Sequence, residues 1–372
     1  LLDVTLIMLG AGDSTRFGLP TKKQWLHIDN DPLWLYATKN LSSNYNFKDV
    51  IVVSKESDYM SKFSNHFKFI EGGNTRQESL KNALAHVNSE FVMVSDIARP
   101  NVPKELVAKL FESANNADCV VPALKVCDTT LFQNDYINRD DIKLIQTPQL
   151  SRTSKLREAL QTDELFGDDS SAITAVGGKV WYVQGDERAK KLTYKDDLTH
   201  LNLLPPSNEV FCGNGFDVHK FKDGDFVVLC GVKVPYSKAF LAHSDGDVAL
   251  HALCDAMLGA AGLGDIGELY PDNDPRFKDI DSKLLLNDTL KRINEVGFKL
   301  INVDITILAE APKINPHKEL MRKTVADILK LGQNKVNIKA TTTEKLGFVG
   351  RSEGIATIAT ANLRYFNWQE VL

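Results

Sequence analysis

The chain is poor in paired cysteine. Its 372 residues include five, Cys119, Cys127, Cys212, Cys230 and Cys254, and no two form a CxxC pair. That argues against a disulfide framework and against a Cys-based zinc site, and a reducing cytoplasm is the expected compartment. No apolar run approaches the ~20 residues that span a bilayer, so no membrane association is expected. The N-terminus shows no basic segment leading into a signal-type apolar stretch. It begins directly in a strand-like pattern without Met, which leaves room for a few residues lost ahead of it. Positive charge is not in excess. The formal net charge of -5 argues against general nucleic-acid binding, which needs a basic footprint. A small anionic substrate stays open, because local Lys and Arg can hold phosphates on an acidic protein. There is no internal repeat, no low-complexity segment and no Walker A loop.

What is present is ordinary in bulk and informative in pattern. The length suits two domains. Leu204-Pro205-Pro206-Ser207-Asn208 marks a break, since paired prolines cannot continue a helix. The expected division is 1–204, a linker over 205–209, and 210–372. Before the break, Val4–Leu9, Val50–Val53, Phe91–Ser95 and Cys119–Pro122 read as short buried strands, and 75–86 and 104–114 as amphipathic helices. This alternation predicts an open, mostly parallel, Rossmann-like α/β sheet with helices on both faces and a ligand beyond the carboxyl ends of the strands. After the break, strands are expected at 227–229, 303–308, 336–340 and 355–363, with helices at 244–261, 282–296 and 316–331. The second domain is expected to be an α+β or α/β layered fold.

Two unlike chemistries sit in the two halves. In the first, Gly10-Ala11-Gly12 follows a strand, so backbone N–H groups can approach a triphosphate, while Arg16 and Lys23 bring positive charge to the same loop. A tight turn with exposed basic residues is the plain alternative. Gly72-Gly73-Asn74-Thr75-Arg76-Gln77-Glu78-Ser79 can read a base and ribose; Asp96 ends a strand; Thr147 and Lys191 add polar groups at loop positions. In the second half, Asp217 and His219 are at i and i+2 and so share one face of a strand. Asp247, His251 and Asp255 are spaced by four along a helical stripe. One carboxylate and two imidazoles leave a tetrahedral position open, and imidazoles favour Zn²⁺ over Mg²⁺. Asp255 is a candidate partner for a ligand histidine. A hydrogen-bonded core histidine is the alternative for His251.

In order along the chain, the first set of motifs resembles the 2-C-methyl-D-erythritol 4-phosphate cytidylyltransferase family, from Leu6 to about Leu198. The resemblance implies that Arg16, Lys23 and Lys191 stabilise charge at the α-phosphorus of CTP, with Asp96 assisting substrate or a Mg²⁺ or Mn²⁺ ion. Gly10, Ala11, Gly12, Gly73, Asn74 and Ser79 would contact CTP. Arg99, Thr129, Arg139 and Thr147 would hold the methylerythritol phosphate, Thr129 and Arg139 from across a dimer interface. The chain departs from the pattern at Gly10 (commonly Ala), Ser14 (Gly), Asn74 (Asp), Ile97 (Ala) and Gly167 (Thr). None of these removes a cation.

The second set resembles the 2-C-methyl-D-erythritol 2,4-cyclodiphosphate synthase family, from about Gly213 to Leu363. That implies Zn²⁺ on Asp217, His219 and His251, and Mg²⁺ or Mn²⁺ held by Glu344 and the substrate diphosphate. His243 and Ser244 would contact the substrate phosphate, Asp265 and Gly267 the erythritol hydroxyls, and Ala309, Lys313, Thr341 and Thr342 the CDP group. Asp255, Phe348 and Arg351 complete the substrate-binding set. The implied reaction closes a cyclic diphosphate and releases CMP. The resemblances also imply a trimer for the second half and a dimer for the first, which close together as a homo-hexamer. Neither half has an ATP loop, so a separate kinase must supply the 2-phosphate between the two steps, and is a candidate partner. Two other readings remain at this level: a different alcohol phosphate, such as ribitol phosphate, for the first site, or a first half that is only a scaffold.

Overall fold

The computed structural model describes residues 2–372 except 201, 243, 272, 273, 275 and 277–279. The chain divides into two units: residues 1–205 together with 368–372, and residues 206–367. The last five residues thus join the first unit, not the 210–372 domain expected from the linker position. Trp368 is the reason. It is 2 % exposed and its indole N–H donates to the carbonyl of His27 at 2.9 Å.

The first unit is built on β1 (Val4–Leu9), buried at every position because both faces of a central parallel strand are covered. It pairs in parallel with β2 (Asp49–Ser54) and with β4 (Phe91–Asp96), and β3 (Lys68–Glu71) extends the sheet beyond β2. On the other side lie β5 (Cys119–Lys125), β6 (Lys143–Ile145), β7 (Gln149–Arg152) and β8 (Val180–Gln184). The order is β6-β5-β7-β4-β1-β2-β3, with β8 along β5. Strand β7 runs antiparallel to both β4 and β5 and starts two residues after Thr147, a position expected to lie in a loop. Helices α1 (Leu33–Ser42) and α3 (Lys104–Glu112) belong to this unit. So do α2 (Arg76–Leu84), α4 (Thr153–Ala159) and α5 (Asp169–Ala175), which close a core of Ile7, Val53, Val94 and Val121 with Leu80, Leu156 and Ile173. Thr75 caps α2 by accepting from Glu78 N–H at 3.0 Å, which sets the helix entry beside the glycine pair.

An arm leaves the sheet after β5. Its hairpin pairs Thr130–Phe132 with Asp135–Ile137 and leaves Leu131, Phe132 and Tyr136 exposed.

The second unit has a five-stranded sheet. β9 (Val210–Asp223) pairs antiparallel with β12 (Lys238–Phe240) and β15 (Gly354–Tyr365); β13 (Phe298–Leu308) lies antiparallel to β15 and parallel to β14 (Val336–Thr341). The hairpin of β10 (Phe226–Leu229) and β11 (Val232–Pro235) stands apart from it. The helices are α6 (Val248–Ala261), α7 (Ser282–Glu295) and α8 (Lys318–Leu329). Helix α6 starts four residues later than the sequence pattern suggests, because Asp247 is its N-cap and not part of its polar stripe. The Asp247 carboxylate accepts from Ala249 and Leu250 N–H, and also from Cys230 and Gly231 N–H, so one buried side chain binds the β10–β11 turn to the helix.

Strand β9 and helix α6 meet backbone to backbone. A Cβ at Gly213 would lie 2.0 Å from the Ala256 carbonyl, and one at Gly215 1.9 Å from that of Ala252. Only glycine fits either position. Residues 213, 215, 217 and 219 share one strand face, so the contact that brings the helix down on the glycines also presents Asp217 and His219 to its first turn.

Candidate active sites

At the first site the carboxyl ends of β1, β2 and β4 are level, Leu9 being opposite both Val53 and Asp96. The turn after β1 therefore opens into the same space as Asp96. A cavity of about 310 Å³ there is lined by Gly10, Ala11, Gly12, Arg16, Lys23, Gly73, Asn74, Ser79, Asp96 and Lys191, among others. Burial, together with the neighbouring Lys191 and Arg16 charges, pulls the Lys23 ammonium down to about 8. Lys191 donates to Asp96 Oδ2 at 2.8 Å, and Thr147 Oγ1 donates to the same oxygen at 3.2 Å. Burial opposes the charge on Asp96, but Lys191, with Arg76 and Arg99, outweighs it and holds the carboxyl well below the usual range. Arg99 is 8 % exposed, places Nε 3.9 Å from Asp96 and donates to the Ala189 carbonyl. Arg99 and Thr147 therefore stand behind Asp96 and do not line the cavity.

Two of the residues noted as departures, Gly10 and Ile97, face each other. A Cβ at Gly10 would come within 3.1 Å of Ile97 Cδ1 and 3.3 Å of the Val53 carbonyl. The smaller residue at 10 accommodates the larger one at 97. At Gly167 a Cβ would meet nothing within 4 Å, so the usual Thr is not sterically barred. Thr129 and Arg139 are exposed on the arm, away from the cavity lining, with Arg139 Nη1 donating to the Cys127 carbonyl at 2.6 Å. A pairing that sequence reasoning missed is Arg76 Nη1 donating to buried Asp169 at 2.8 Å across 93 positions, from the start of α2 to that of α5. It fixes the helix entry that carries the 72–79 segment.

The second site is a cavity of about 330 Å³ lined by Asp217, His219, Ser244, His251, Asp255, Ile266, Gly267 and Tyr270, among others. Asp217, His219 and His251 form the one metal-compatible cluster among the described residues. The Nδ1 atoms of His219 and His251 each lie 3.3 Å from Asp217 Oδ2. Tetrahedral coordination with bonds near 2.0–2.1 Å spaces its ligands by about 3.3–3.4 Å. His219 Nδ1 is buried and, though close to Asp217, has no aligned hydrogen-bond partner. Burial lowers His219 and favours its neutral imidazole; His251, despite burial, is raised by Asp217, whose place beside the ring a divalent ion would share; and Asp217, despite burial, is lowered by the two histidines. A neutral imidazole and an ionised carboxylate are what a divalent ion requires of its ligands. The donor set fits.

The remaining predicted residues divide. Asp255 accepts from Ile266 N–H at 2.8 Å and so shapes the cavity wall; the polar side chains against the His251 ring nitrogens are Asp217, Ser244 and Ser282, not Asp255 as the spacing suggested. Asp265 caps the short turn at Ile266–Leu269, accepting from Glu268 N–H at 2.9 Å. Ala309, Thr341 and Thr342 cluster at the ends of β13 and β14, where Ala309 N–H donates to the Thr341 carbonyl. Glu344 accepts from Thr342 Oγ1 at 3.3 Å, and Arg351 pairs with Glu353. With Lys313 and Phe348, these residues do not line the cavity holding the Asp217 cluster. Glu310, unassigned from sequence, anchors the 343–345 loop by accepting from Thr343 and Lys345 N–H. His243 lies outside the described residues.

A cavity lined by cations at the mouth of a mostly parallel sheet, and a second cavity with an Asp-His-His cluster in a separate layered unit, define a fused enzyme of two phosphorus chemistries. A model of the 2-C-methyl-D-erythritol 4-phosphate cytidylyltransferase family matches residues 4–204, and a model of the YgbB family matches residues 210–364. The bifunctional enzyme IspD/IspF of Campylobacter fetus subsp. fetus (strain 82-40) is 70 % identical over 372 residues, covering 100 % of both chains. That of Campylobacter curvus (strain 525.92) is 61 % identical and covers 99 % of this chain and 100 % of its own. The solved structure of the bifunctional IspDF from Campylobacter jejuni superimposes with a TM-score of 0.94 at 54 % identity, covering 99 % of this chain and 100 % of that one.

The chain belongs to the bifunctional IspD/IspF family. It is an enzyme of isoprenoid-precursor synthesis that transfers CMP from CTP to 2-C-methyl-D-erythritol 4-phosphate and cyclises the later 2-phosphorylated intermediate to 2-C-methyl-D-erythritol 2,4-cyclodiphosphate. Among the described residues no helix is long and apolar enough to cross a membrane.

Proposed function

We propose the following division of labour among the residues of the two sites. In the first cavity, the 4-phosphate oxygen of methylerythritol phosphate attacks the α-phosphorus of CTP and diphosphate leaves. Such a transfer needs in-line positioning and neutralisation of charge, with little covalent help. Lys23, Arg16 and Lys191 supply the charge. The amides of Gly10, Ala11 and Gly12 receive the phosphates, and Gly73, Asn74 and Ser79 receive the base and ribose. Asp96 holds Lys191 in place and would help hold Mg²⁺ or Mn²⁺ when that ion arrives with the substrate. Arg99 and Thr147 fix Asp96 from behind. Thr129 and Arg139, on the exposed arm, bind methylerythritol phosphate in the site of a second copy.

In the second cavity Asp217, His219 and His251 would hold Zn²⁺. When bound, that ion supplies Lewis-acid polarisation of a phosphate oxygen. The 2-phosphate attacks the β-phosphorus of the CDP group of the same molecule and CMP leaves. Ser244, with His243, orients the phosphate, and Gly267 with Asp265 the erythritol hydroxyls. Asp255 keeps the 266–267 wall in register. Ala309, Lys313, Thr341 and Thr342 receive the CDP group, Glu344 would hold Mg²⁺ or Mn²⁺ on the diphosphate, and Phe348 and Arg351 border it. Because those groups stand away from the Asp217 cavity of their own chain, they complete the site of a neighbouring copy. Dimer contacts through the arm and trimer contacts through the second unit give a hexamer, working in the cytoplasm with a separate kinase.

The observation that carries this reading is the enclosure of Arg16, Lys23, Lys191 and Asp96 in one cavity and of Asp217, His219 and His251 in another. Product analysis with methylerythritol phosphate, CTP and Mg²⁺ tests it. The cytidyl diphosphate ester should accumulate with no cyclic product until the intermediate kinase and ATP are added. Cyclic product without them would overturn the reading.

A further inference from the structure

His251 has a second ring nitrogen, and its surroundings are specific. Nε2 lies 2.9 Å from Ser282 Oγ and 3.3 Å from Ser244 Oγ. Ser282 is fully buried and is the first residue of α7, 31 positions further along the chain. Its hydroxyl donates to Asp245 Oδ1, and its backbone N–H donates to Asp245 Oδ2 at 3.2 Å. Asp245 is held in turn: its Oδ1 accepts from Asp247 N–H at 3.2 Å, and its own N–H donates to the Ile280 carbonyl at 3.1 Å.

The direction of each bond follows from the donor inventory. An ionised carboxylate only accepts, and a serine hydroxyl has one proton to give. With that proton committed to Asp245, Ser282 Oγ can only accept from His251. Nε2 must then carry the proton, and the lone pair of a neutral ring falls on Nδ1. Nδ1 is the atom that faces Asp217 at 3.3 Å, on the cluster side. Ser244 reaches the same nitrogen at the longer distance and is itself a lining residue of the cavity, so it is the weaker hold.

We propose that Asp245 and Ser282 form a positioning relay that fixes the ring orientation and tautomer of His251, so that Nδ1 is presented to a divalent ion. Neither residue lines the cavity; they act through His251. This inference rests on the reading of Asp217, His219 and His251 as metal ligands, and the test separates the two.

The experiment is a zinc titration of the metal-stripped full-length protein against a chromophoric chelator, with no substrate present. The parent chain should bind one zinc, and Ser282→Ala should bind it roughly 10–100-fold more weakly, the cost typical of losing an outer partner of a ligand histidine. Ser282→Thr should restore most of the loss, because it keeps the hydroxyl. Asp245→Asn should fall between parent and Ser282→Ala. Unchanged zinc affinity in folded Ser282→Ala overturns the relay while leaving the ligand set intact. Absence of zinc binding in the parent overturns the ligand reading itself. Nitrogen-15 spectra of histidine-labelled, zinc-loaded parent protein give a check that needs no variant. They should show His251 protonated at Nε2, and metal on Nε2 would refute the proposal.

Discussion

The two cavities are almost equal in volume, about 310 and 330 Å³, and differ in how their charge is organised. The transferase cavity carries its own cations. Lys191 is already paired with Asp96, Arg16 and Lys23 stand beside them, and with Lys55, Arg76 and Asp13 the lining carries an excess of positive charge. The synthase cavity places a carboxylate oxygen and two imidazole nitrogens within 4.8 Å of one another, and no lysine or arginine is among its described lining residues. The first site is preorganised by ion pairs, the second by ligand geometry. In both, residues of the proposed substrate-binding set stand away from the cavity lining: Thr129 and Arg139 on the arm, Glu344 and the β13–β14 ends toward the β14 edge of the sheet that also carries Asp217 and His219.

The sharpest way to break this comparison is to remove one cavity side chain from each site. Lys23→Ala should lower cytidyl transfer by about 10²–10³, the usual cost of removing a group aimed at developing charge, and leave cyclisation and zinc binding unchanged. His251→Ala should abolish zinc binding and cyclisation and leave transfer unchanged. Assaying both reactions on both variants is the check. Loss of both activities in either folded variant would mean that the two sites are one coupled system.

A smaller effect comes from acidity. The Lys23 ammonium is lowered from its ordinary 10.5 to about 8, chiefly by burial. A lysine is charged below its pKa, so the free enzyme loses this cation as pH rises through about 8. The kcat/KM for CTP, which reports groups of the free enzyme, should fall up to about tenfold per pH unit above that point. Lys23→Arg keeps its charge and should flatten the fall, though at a lower rate. A profile level to pH 9.5 in the parent would show that the charge on Lys23 is not what transfer needs.

The contrast also explains what could be read from sequence. Asp217 and His219 were legible because a strand repeats every two residues, and His251 because an apolar helix isolates it. Gly10 and Asp96 were legible as neighbours because parallel strands end level. Ser282 was not, since an Asp281-Ser282 pair ahead of a helix reads simply as a cap, and its contact with His251 spans 31 positions. The Arg76–Asp169 pair spans 93 and carries no local signal. Asp247 was misplaced for the opposite reason: its spacing to His251 fits a helical stripe, yet its side chain is taken by four backbone donors as a cap. Strand β7 was missed because Thr147-Pro148-Gln149 looks like a turn, and only its pairing between β4 and β5 makes it a strand. Local periodicity was readable; contacts made by tertiary closure were not.

The smallest expected effect tests where the C-terminus belongs. Trp368 packs with the first unit and donates to the His27 carbonyl, four residues beyond Lys23. All four tryptophans, Trp25, Trp34, Trp181 and Trp368, belong to that unit, so tryptophan fluorescence follows its unfolding while zinc content follows the other. Probing the units separately matters because one midpoint does not describe a two-unit chain. Trp368→Phe keeps most of the buried ring and removes one hydrogen bond, which should destabilise the first unit by about 1 kcal/mol. Trp368→Ala also leaves a cavity and should cost about 3–5 kcal/mol. In urea, the fluorescence midpoint should drop slightly for Phe and clearly for Ala, with zinc retention unmoved in both. If zinc were lost first and the fluorescence midpoint held, Trp368 would belong energetically to the synthase unit, and the boundary drawn after Asn367 would be wrong.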